Sequence, residues 1–381
     1  MNILVNGIPL TGLLTGISRY VRCLYTEMQK LSDTSVTYFT GPAASSEMPL
    51  QAESEAWCKT REMLWMLPDH LVTTLRVLHW RYFENRLRRC CQSQPFDVYH
   101  ETSFFPAALK DVPVVYTMYD LSLIKHRSEH PRERLWFFDH FFNRRLPYAS
   151  HILTISEYVR NEIIDEIGLP PHLVTSIPLA PDPTFYPREK PQVGEVLRRH
   201  GWPEEYILFV GTLEPRKNLS LLIKALTIAD TKIPLILAGW QGWGDKKWMQ
   251  IISDQELQRR IFFTGYVDEE TLACLYTGAS AFVFPSLYEG FGLPILEAMA
   301  CGCPVICSNA ASMPEVAGKA AFLIDPTDAE ALAYALDSVL TDSTLRQSMI
   351  QQGIERAKQF SWKETAVKTL EIFQQVAGDK S

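Results

Sequence analysis

The sequence predicts an α/β protein of two domains, each with a parallel β-sheet covered by helices. Short β-branched apolar runs alternate with stretches of helical period along the chain, as is typical of βα units. The 381 residues exceed the length of one ordinary domain. Residues 177–187 contain four prolines, which exclude regular structure and mark a linker between two halves.

The first half begins with a strand over 3–6. It leads into a helix in which apolar residues recur every three or four positions between Ile17 and Leu31. Another helix over 157–167 stops at a glycine that precedes two prolines. Further strands are expected over 35–39, 98–100, 112–116, 151–155 and 174–177.

The same alternation restarts after the linker. An amphipathic helix follows Ser361, which serves as its cap. We therefore predict a first domain over 1–183, a second over 184–360, and a terminal helix over 361–381 that returns to the first. Parallel sheets bind ligands beyond the carboxyl ends of their strands, so we expect the site in a cleft between the domains. The expected strands are 206–213, 234–238, 260–265, 281–285, 304–307 and 320–324, and the expected helices are 219–229, 269–277 and 294–300.

Composition excludes several classes of protein. With 46% hydrophobic and 21% charged residues the chain is not disordered, and no apolar run reaches the eighteen or so residues of a membrane-spanning helix. The formal net charge of −7 argues against a general nucleic-acid binder. The first residues resemble a strand and not a secretory signal, and the eight cysteines lack disulfide or zinc spacing. We expect a cytoplasmic protein with reduced thiols.

The first chemical motif joins a strand to a helix through a glycine-containing loop within 285–302. Glu289 lies in this loop, Pro294 suits the first helical position, and Glu297 follows on the helix. A carboxylate accepts hydrogen bonds from two hydroxyl groups at once, as sugar recognition requires. A single glutamate would be interpreted as a helix cap, but the full spacing favours a hydroxyl-rich ligand.

Two further loops follow the first strand of each half. Arg216 and Lys217 follow the strand over 206–213 and together can clamp a diphosphate; the alternative is an exposed basic turn. Gly16 lies in the loop over 11–20, where its backbone N–H can contact a phosphate. The glycine spacing of that loop differs from the dinucleotide-binding fingerprint, which disfavours a nicotinamide enzyme.

These motifs together resemble the retaining glycosyltransferases of family GT4, which have two Rossmann-like domains in the GT-B fold. The segment from Glu289 to Glu297 is similar to the E-x7-E signature of that family. The similarity covers nearly the whole second half and, more loosely, the first. Its other segments are 211–218, the loop at Gly16, 265–326 and the tail at 360–362.

The resemblance implies a donor site formed mainly by the second half. Glu289 would hold hydroxyls of the donor sugar, and Glu297 would hold the ribose hydroxyls. Arg216 and Lys217 would hold the diphosphate. The other implied donor contacts are the backbone of Gly290, Phe291, Gly292 and Leu293 for the sugar, Gly16 for the diphosphate, and Tyr266 and Val267 for the base.

One position departs from the family pattern. Many members have His-Asp where this chain has Tyr119-Asp120. The resemblance puts the histidine near the sugar and the acceptor, so Tyr119 and Asp120 are candidate catalytic residues. Tyr119 can donate a hydrogen bond but is not a proton acceptor at neutral pH. Packing at a strand end is the alternative for Tyr119, and also for His100, a further candidate on the acceptor side.

The chemistry that the resemblance implies needs no metal. Breaking the bond from sugar to diphosphate leaves negative charge, which Arg216, Lys217 and helix-end amides can stabilise. The chain has no Asp-x-Asp motif for a metal. A retaining transfer would put the acceptor hydroxyl on the face of the departing phosphate. Similarity to bacterial surface-polysaccharide mannosyltransferases, including those of lipopolysaccharide synthesis, implies GDP-mannose as donor, with UDP- and dTDP-sugars as alternatives.

We expect the acceptor side to be formed by the first half. A stretch there, over 61–91, contains Trp and Leu together with arginines. Residues 59–91 hold seven basic and three acidic residues in a chain that is acidic overall. A second stretch, 132–145, adds further aromatic residues. Such faces can seat a helix on an anionic membrane, and core packing with a solvated basic edge is the alternative. The membrane interpretation predicts a peripheral enzyme that glycosylates a polyprenyl-linked or oligosaccharide acceptor at the inner face of the plasma membrane.

Two other functions share the expected layout. A GT-B epimerase or phosphorylase would have the same two domains, although no cofactor lysine for a phosphorylase is evident. A non-enzymatic nucleotide-sugar-binding module is the third possibility. Turnover in the presence of the right acceptor separates these classes.

Overall fold

The structure, a computed structural model, describes residues 1–12, 15–31, 33–49, 68–240 and 255–378. Residue contacts divide the chain into two compact units. The first comprises Met1–Leu179 with Trp362–Ser381, and the second comprises Ala180–Ser361. The first division falls inside the proline-rich segment, where 177–187 contain no helix or strand. The last helix groups with the first unit.

Strands and helices alternate along much of the described chain. The strands are β1 (Asn2–Asn6), β2 (Ser35–Phe39), β3 (Ala44–Ser45), β4 (Val98–Glu101), β5 (Val114–Met118), β6 (Ala149–Thr154), β7 (Val174–Ser176), β8 (Ile207–Val210), β9 (Leu235–Ala238), β10 (Ile261–Gly265), β11 (Ala281–Phe284), β12 (Val305–Ser308) and β13 (Ala321–Ile324). The helices are α1 (Gly16–Met28), α2 (Asp69–Ser93), α3 (Ser122–Lys125), α4 (Arg132–Arg145), α5 (Glu157–Glu162), α6 (Lys190–His200), α7 (Leu219–Ile228), α8 (Gln255–Gln258), α9 (Glu269–Gly278), α10 (Leu293–Ala300), α11 (Met313–Ala317), α12 (Ala329–Thr341), α13 (Ser343–Ala357) and α14 (Trp362–Gly378).

The sheet of the first unit has the order β3-β2-β1-β4-β5-β6-β7. All its pairs are parallel except β2 with β3. The central β1 pairs Leu4 with Thr37 on one side and with Tyr99 on the other. Helices cover both faces of such a sheet, which explains the continuous apolar runs of its inner strands.

Helices α1 and α14 pack against each other in the first unit. Thr15 caps α1, and a capping box joins it to Ser18. Within α14, Phe373 is buried, and Thr365 Oγ1 donates to Pro178 O over 2.8 Å. Helix α14, at the end of the chain, therefore contributes to the core of the first unit.

The sheet of the second unit has the order β10-β9-β8-β11-β12-β13, and its pairs are parallel. From β8 the chain passes through α7 to β9 on one side. From β11 it passes through α10 to β12 on the other side. The connections diverge between β8 and β11, and such a switch point is where open α/β sheets bind their ligands.

Several elements differ from the sequence prediction in extent. The strand predicted over 206–213 ends at Val210, because Gly211 has a φ of 150° that turns the chain. Helix α10 begins one residue earlier than predicted, so Pro294 occupies its second position. Residues 329–357, to which no element is assigned above, form α12 and α13, and aspartates cap both helices.

The structure bears on two predictions from composition, and it does so only for the described residues. The cysteines among them are free thiols, and Cys58 lies outside the described residues. In the same part of the chain, no helix combines the length and hydropathy that crossing a bilayer requires.

Candidate functional site

The loops that follow β8 and β11 meet at the switch point of the second sheet. Leu287 N donates to Arg216 O over 2.8 Å, and Asn218 Nδ2 donates to Pro285 O over 3.1 Å. Asn218 has a left-handed backbone with a φ of 57°, which turns the chain from the 3₁₀ turn Pro215–Lys217 into α7. These contacts hold the two predicted motifs side by side.

Glu289 is held by the two cations of the neighbouring loop. Lys217 Nζ donates to Glu289 Oε1 over 2.5 Å, and Arg216 Nη1 donates to Glu289 Oε2 over 3.1 Å. Arg216 also donates from Nη1 to Tyr288 O over 2.5 Å and from Nη2 to Glu214 Oε1 over 2.7 Å. The structure thus brings Glu289, Arg216 and Lys217 into direct contact.

We call the side chains of Glu214, Arg216, Lys217 and Glu289 the ion cluster. They are between 7% and 14% exposed. Burial alone would raise the pKa of Glu289, but the charges of Lys217 and Arg216 outweigh it and lower that pKa to about 2. Glu289 is therefore an anion at neutral pH. Two cations face two carboxylates, so the cluster is balanced in charge.

Ser312 supports the loop that carries Glu289. Its Oγ donates a bifurcated hydrogen bond to Glu289 O at 2.8 Å and Phe291 O at 2.9 Å. Gly292 has a φ of 100° and precedes the first residue of α10, Leu293. An L-residue with a side chain rarely adopts that φ, so the turn into the helix requires glycine. The predicted sugar-side residues Gly290, Phe291, Gly292 and Leu293 are all buried.

Glu297, the second glutamate of the motif, lies on α10 and is 1% exposed. Tyr276 of α9 donates from its hydroxyl to Glu297 Oε2 over 3.2 Å. A buried carboxylate is retained only where hydrogen-bond donors satisfy it. Tyr276 thus fixes one oxygen of Glu297 from behind the site.

The predicted base-binding residues, Tyr266 and Val267, directly follow β10 and are half-buried. The Tyr266 ring stacks on Trp240, with centroids 5.6 Å apart and planes 30° apart. Trp240 follows the neighbouring strand β9, and sequence reasoning missed it. Its signal was available, since an aromatic residue at the end of a parallel strand next to a predicted base-binding segment points to the same edge.

Two glycines let the ends of β8 and β9 approach closely. A Cβ at Gly239 would lie 2.1 Å from Gly211 O, and Gly239 has a φ of 142°. Gly211 N donates to Ala238 O over 2.9 Å. No side chain fits at Gly239, so the loop that carries Arg216 depends on it.

The remaining predicted residues belong to the first unit. Gly16 is the exposed first residue of α1. Tyr119 donates from its hydroxyl to Thr102 O over 3.1 Å, and burial raises its pKa well above the usual value for a phenol. Asp120 Oδ1 accepts from Ser122 N over 2.8 Å at the start of α3. Tyr119 therefore stays protonated and cannot act as a base.

His100, which the sequence analysis considered for the acceptor side, lies in the interior of the first unit. Its side chain is completely buried. Nδ1 lies 2.6 Å from the Tyr25 hydroxyl, Nε2 lies 2.7 Å from Thr117 Oγ1, and the ring packs edge-on against Phe373. Burial lowers the pKa of His100 to about 3, so the ring is neutral. His100 packs in the core, which was the alternative given for it.

The part of the chain that the structure describes contains no group of three or more His, Cys, Asp or Glu side chains arranged to hold a metal ion. Metal independence itself stays a prediction.

Two family profiles match the chain. One, described as "Glycosyltransferase Family 4", matches residues 14–185, and the other, "Glycosyl transferases group 1", matches residues 197–356. The chain is 33% identical over 377 residues to the O-antigen chain mannosyltransferase B of Escherichia coli, with 96% of this chain and 97% of that protein covered. It is also 32% identical over 235 residues to the serotype-specific mannosyltransferase WbdA of Escherichia coli, over 59% of this chain and 29% of that protein.

Solved structures with the same fold cover almost the whole chain. Sucrose-phosphate synthase of Thermosynechococcus elongatus superposes with a TM-score of 0.74 at 20% identity, covering 99% of each chain. HepE of Anabaena, solved with UDP and glucose, superposes with a TM-score of 0.73 at 18% identity, covering 98% of this chain and 100% of that one. The family matches favour the transferase over the binding module and the other GT-B enzymes. The chain belongs to the GT4 family of glycosyltransferases and has their GT-B fold.

Proposed function

We propose that the protein is a retaining, metal-independent mannosyltransferase that uses GDP-mannose to extend a surface polysaccharide such as an O-antigen. The observation that carries this proposal is the ion cluster, in which Glu289 is paired with Arg216 and Lys217 at the switch point. Similarity to the O-antigen chain mannosyltransferase B supports mannose as the sugar. UDP- and dTDP-hexoses are the alternative donors.

In this proposal the ion cluster binds the reacting part of the donor. Glu289 accepts hydrogen bonds from sugar hydroxyls, and Arg216 and Lys217 bind the diphosphate. The support is their shared burial, which excludes water and strengthens each charge contact. Lys217 Nζ also lies 5.1 Å from the centre of the Phe284 ring, which limits where the ammonium can move.

The nucleoside binds along the ends of β9 and β10. Glu297 accepts from the ribose hydroxyls, while Tyr266 and Val267 contact the base through their backbone. The stacked Tyr266 and Trp240 rings give that edge an aromatic wall. The family resemblance also assigns the backbone N–H of Gly16 to the diphosphate.

The reaction follows from where charge develops. As the glycosidic bond to the diphosphate breaks, negative charge grows on the phosphate oxygens and positive character grows at the sugar carbon. In this proposal Arg216 and Lys217 stabilise the negative charge, and the Glu289 anion favours the positive character at the sugar carbon. The acceptor hydroxyl attacks from the face that the phosphate leaves, and its proton passes to the departing phosphate. Tyr119 is protonated and cannot act as a base. In this proposal Tyr119 and Asp120 orient the acceptor.

A donor panel with product analysis tests this function. We expect GDP-mannose, with a lipid-linked mannan acceptor, to give product with unchanged α configuration by NMR, at a rate unaffected by EDTA. Binding without turnover would contradict the transfer. A β product would contradict retention, and loss of rate in EDTA would contradict metal independence. If the protein transferred sugar faster from a UDP- or dTDP-sugar, that compound would replace GDP-mannose as the proposed donor.

We further propose that the first unit contacts an anionic membrane. Leu71, Leu75, Leu78 and Tyr82 are between 45% and 56% exposed and recur at helical spacing along one face of α2. Trp136 of α4 is 48% exposed. Helix α2 also carries Arg76, Arg81, Arg86, Arg88 and Arg89. Apolar side chains beside basic ones suit an anionic lipid surface. Residues 61–67 of the predicted stretch lie outside the described residues.

Flotation with anionic liposomes at low salt tests the membrane contact. We expect the wild type to float and Leu75→Asp with Leu78→Asp to remain at the bottom. Tyr334→Asp is the matched control, because Tyr334 is 68% exposed in the second unit, and it should float normally. Absence of wild-type flotation would refute the contact.

A further inference from the structure

The charged groups of the ion cluster are paired with one another. Each carboxylate oxygen of Glu289 accepts from its own cation, and Glu214 takes the other end of the Arg216 guanidinium. The two positive charges are already matched by two negative ones. A buried group that loses its partner retains the cost of its desolvation, so none of these contacts is given up freely.

A nucleoside diphosphate needs the same two cations. Its phosphate oxygens bring at least two further negative charges to Arg216 and Lys217. With Glu214 and Glu289 still in place, the site would then hold an excess of negative charge in a nearly water-free volume. Like charges brought together in such surroundings repel each other and weaken binding.

The sugar of the donor removes this conflict at Glu289. Hydroxyl groups donate hydrogen bonds, so a bound sugar can satisfy the carboxylate that the cations leave. When the sugar departs to the acceptor, Glu289 loses those donors and faces the diphosphate product directly. The same carboxylate therefore supports the nucleotide sugar and opposes the bare nucleotide.

We propose that Glu289 acts as an anionic competitor that weakens binding of the nucleoside diphosphate product and so promotes its release after transfer. This inference rests on the proposed function of the site and adds product discrimination to it. Glu289 distinguishes the nucleotide sugar from the bare nucleotide by whether sugar hydroxyls are present to donate hydrogen bonds to its carboxylate.

Isothermal titration of GDP and GDP-mannose into the whole protein tests the proposal, with Glu289→Gln as the variant. The amide keeps the size of the side chain and removes its charge. We expect Glu289→Gln to bind GDP at least about tenfold more tightly than the wild type, because the like-charge contact is gone. It should bind GDP-mannose no more tightly than before, while transfer falls.

Glu297→Gln is the matched control on the same motif. Glu297 contacts Tyr276 on α9, and its proposed ligand is the ribose, which both nucleotides share. We expect this variant to weaken GDP and GDP-mannose by the same factor. A rise in GDP affinity in Glu297→Gln as well would point to general charge removal and overturn the role given to Glu289.

The outcomes separate this inference from the proposed function. If the wild type binds GDP-mannose and Glu289→Gln binds GDP equally or more weakly than the wild type, the competitor role is wrong and the function stands. If the wild type binds neither GDP nor GDP-mannose, the donor assignment fails, and the same titrations with UDP and UDP-glucose decide the role of Glu289. Glu289→Ala, checked for a native thermal transition, must change GDP affinity in the same direction as Glu289→Gln.

Discussion

Both units place polar side chains at the carboxyl ends of their central strands, but the two groups are in different charge states. In the first unit, burial lowers the pKa of His100 and raises that of Glu101, so each is pushed toward its neutral form. Glu101 accepts from Asn6 Nδ2 over 2.6 Å and from the Tyr99 hydroxyl over 2.8 Å. In the second unit, neighbouring cations keep Glu289 ionised despite burial.

The difference lies in what satisfies each buried group. Neutral hydroxyl and amide partners hold the polar residues of the first unit, and such contacts fix the packing of a core. Charged partners hold Glu289, and a charged or hydroxyl-rich ligand can take their place. Burial of a polar residue at a strand end therefore does not by itself identify a ligand site. The charge of its partners does.

Loss of one cation from the second unit should have the largest effect. We expect Lys217→Ala to lower transfer by at least about a hundredfold, because the leaving diphosphate loses a preorganised charge. Release of nucleoside diphosphate from GDP-mannose measures it. Lys224→Ala, an exposed lysine on α7, is the matched control and should keep the wild-type rate. A normal rate for Lys217→Ala would contradict the proposal that the ion cluster binds the donor.

Gly239→Ala tests whether the second site depends on its backbone. The new Cβ would lie 2.1 Å from Gly211 O, so we expect the free energy of unfolding to fall by more than about 2 kcal/mol. Urea denaturation measures the change. Gly16→Ala is the control, since a Cβ there meets nothing within 4 Å and the stability should stay within about 1 kcal/mol. Equal effects at both positions would refute the close approach.

His100→Ala tests the neutral cluster of the first unit. The substitution leaves the Tyr25 and Thr117 hydroxyls without a buried partner and opens a cavity, so we expect a loss of about 3 kcal/mol in unfolding free energy. The transfer rate per folded molecule should stay near that of the wild type. A folded variant with a large loss of rate would return His100 to the acceptor site.

The pKa values of His100 and Glu289 are both lowered, so both groups should lose their contribution to stability on acidification, with His100 losing it at the higher pH. His100 has a folded pKa of about 3 against an ordinary value of 6.5, so the unfolded state binds more protons between these pH values. Its contribution to stability is complete above about pH 6.5 and is lost as the pH falls toward 3. We expect urea denaturation of the wild type to show this fall, and His100→Gln to show a shallower one. A slope unchanged by His100→Gln would contradict a neutral, buried ring.

Tyr119→Phe should have the smallest effect. It removes a single hydrogen bond to Thr102 O, so we expect about 1 kcal/mol less stability and a transfer rate reduced by less than about tenfold. Thermal denaturation and the transfer assay measure the two quantities. A loss as large as that of Lys217→Ala would make the Tyr119 hydroxyl essential to the reaction.

The parts of the site that sequence could predict are those encoded over short spans. Glu289 and Glu297 lie in one continuous loop-and-helix segment, and Arg216 and Lys217 are adjacent, so residue types alone suggested their chemistry. The contact between Lys217 and Glu289 depends on β8 lying next to β11, which no local pattern encodes. The burial of His100 depends on Phe373, far away in sequence, and the pairing of Trp240 with Tyr266 depends on the register of β9 and β10.

The grouping of α14 with the first unit has a consequence for synthesis of the chain. Ribosomes deliver residues from the amino terminus, so Phe373, which covers His100, emerges only after all of the second unit has been made. The first unit therefore cannot complete its core until α14 has been synthesised. The second unit has all of its residues before that point. A chain truncated after Ser361 would contain all of the second unit but lack Phe373 in the core of the first, and the apolar surface left exposed there would favour aggregation.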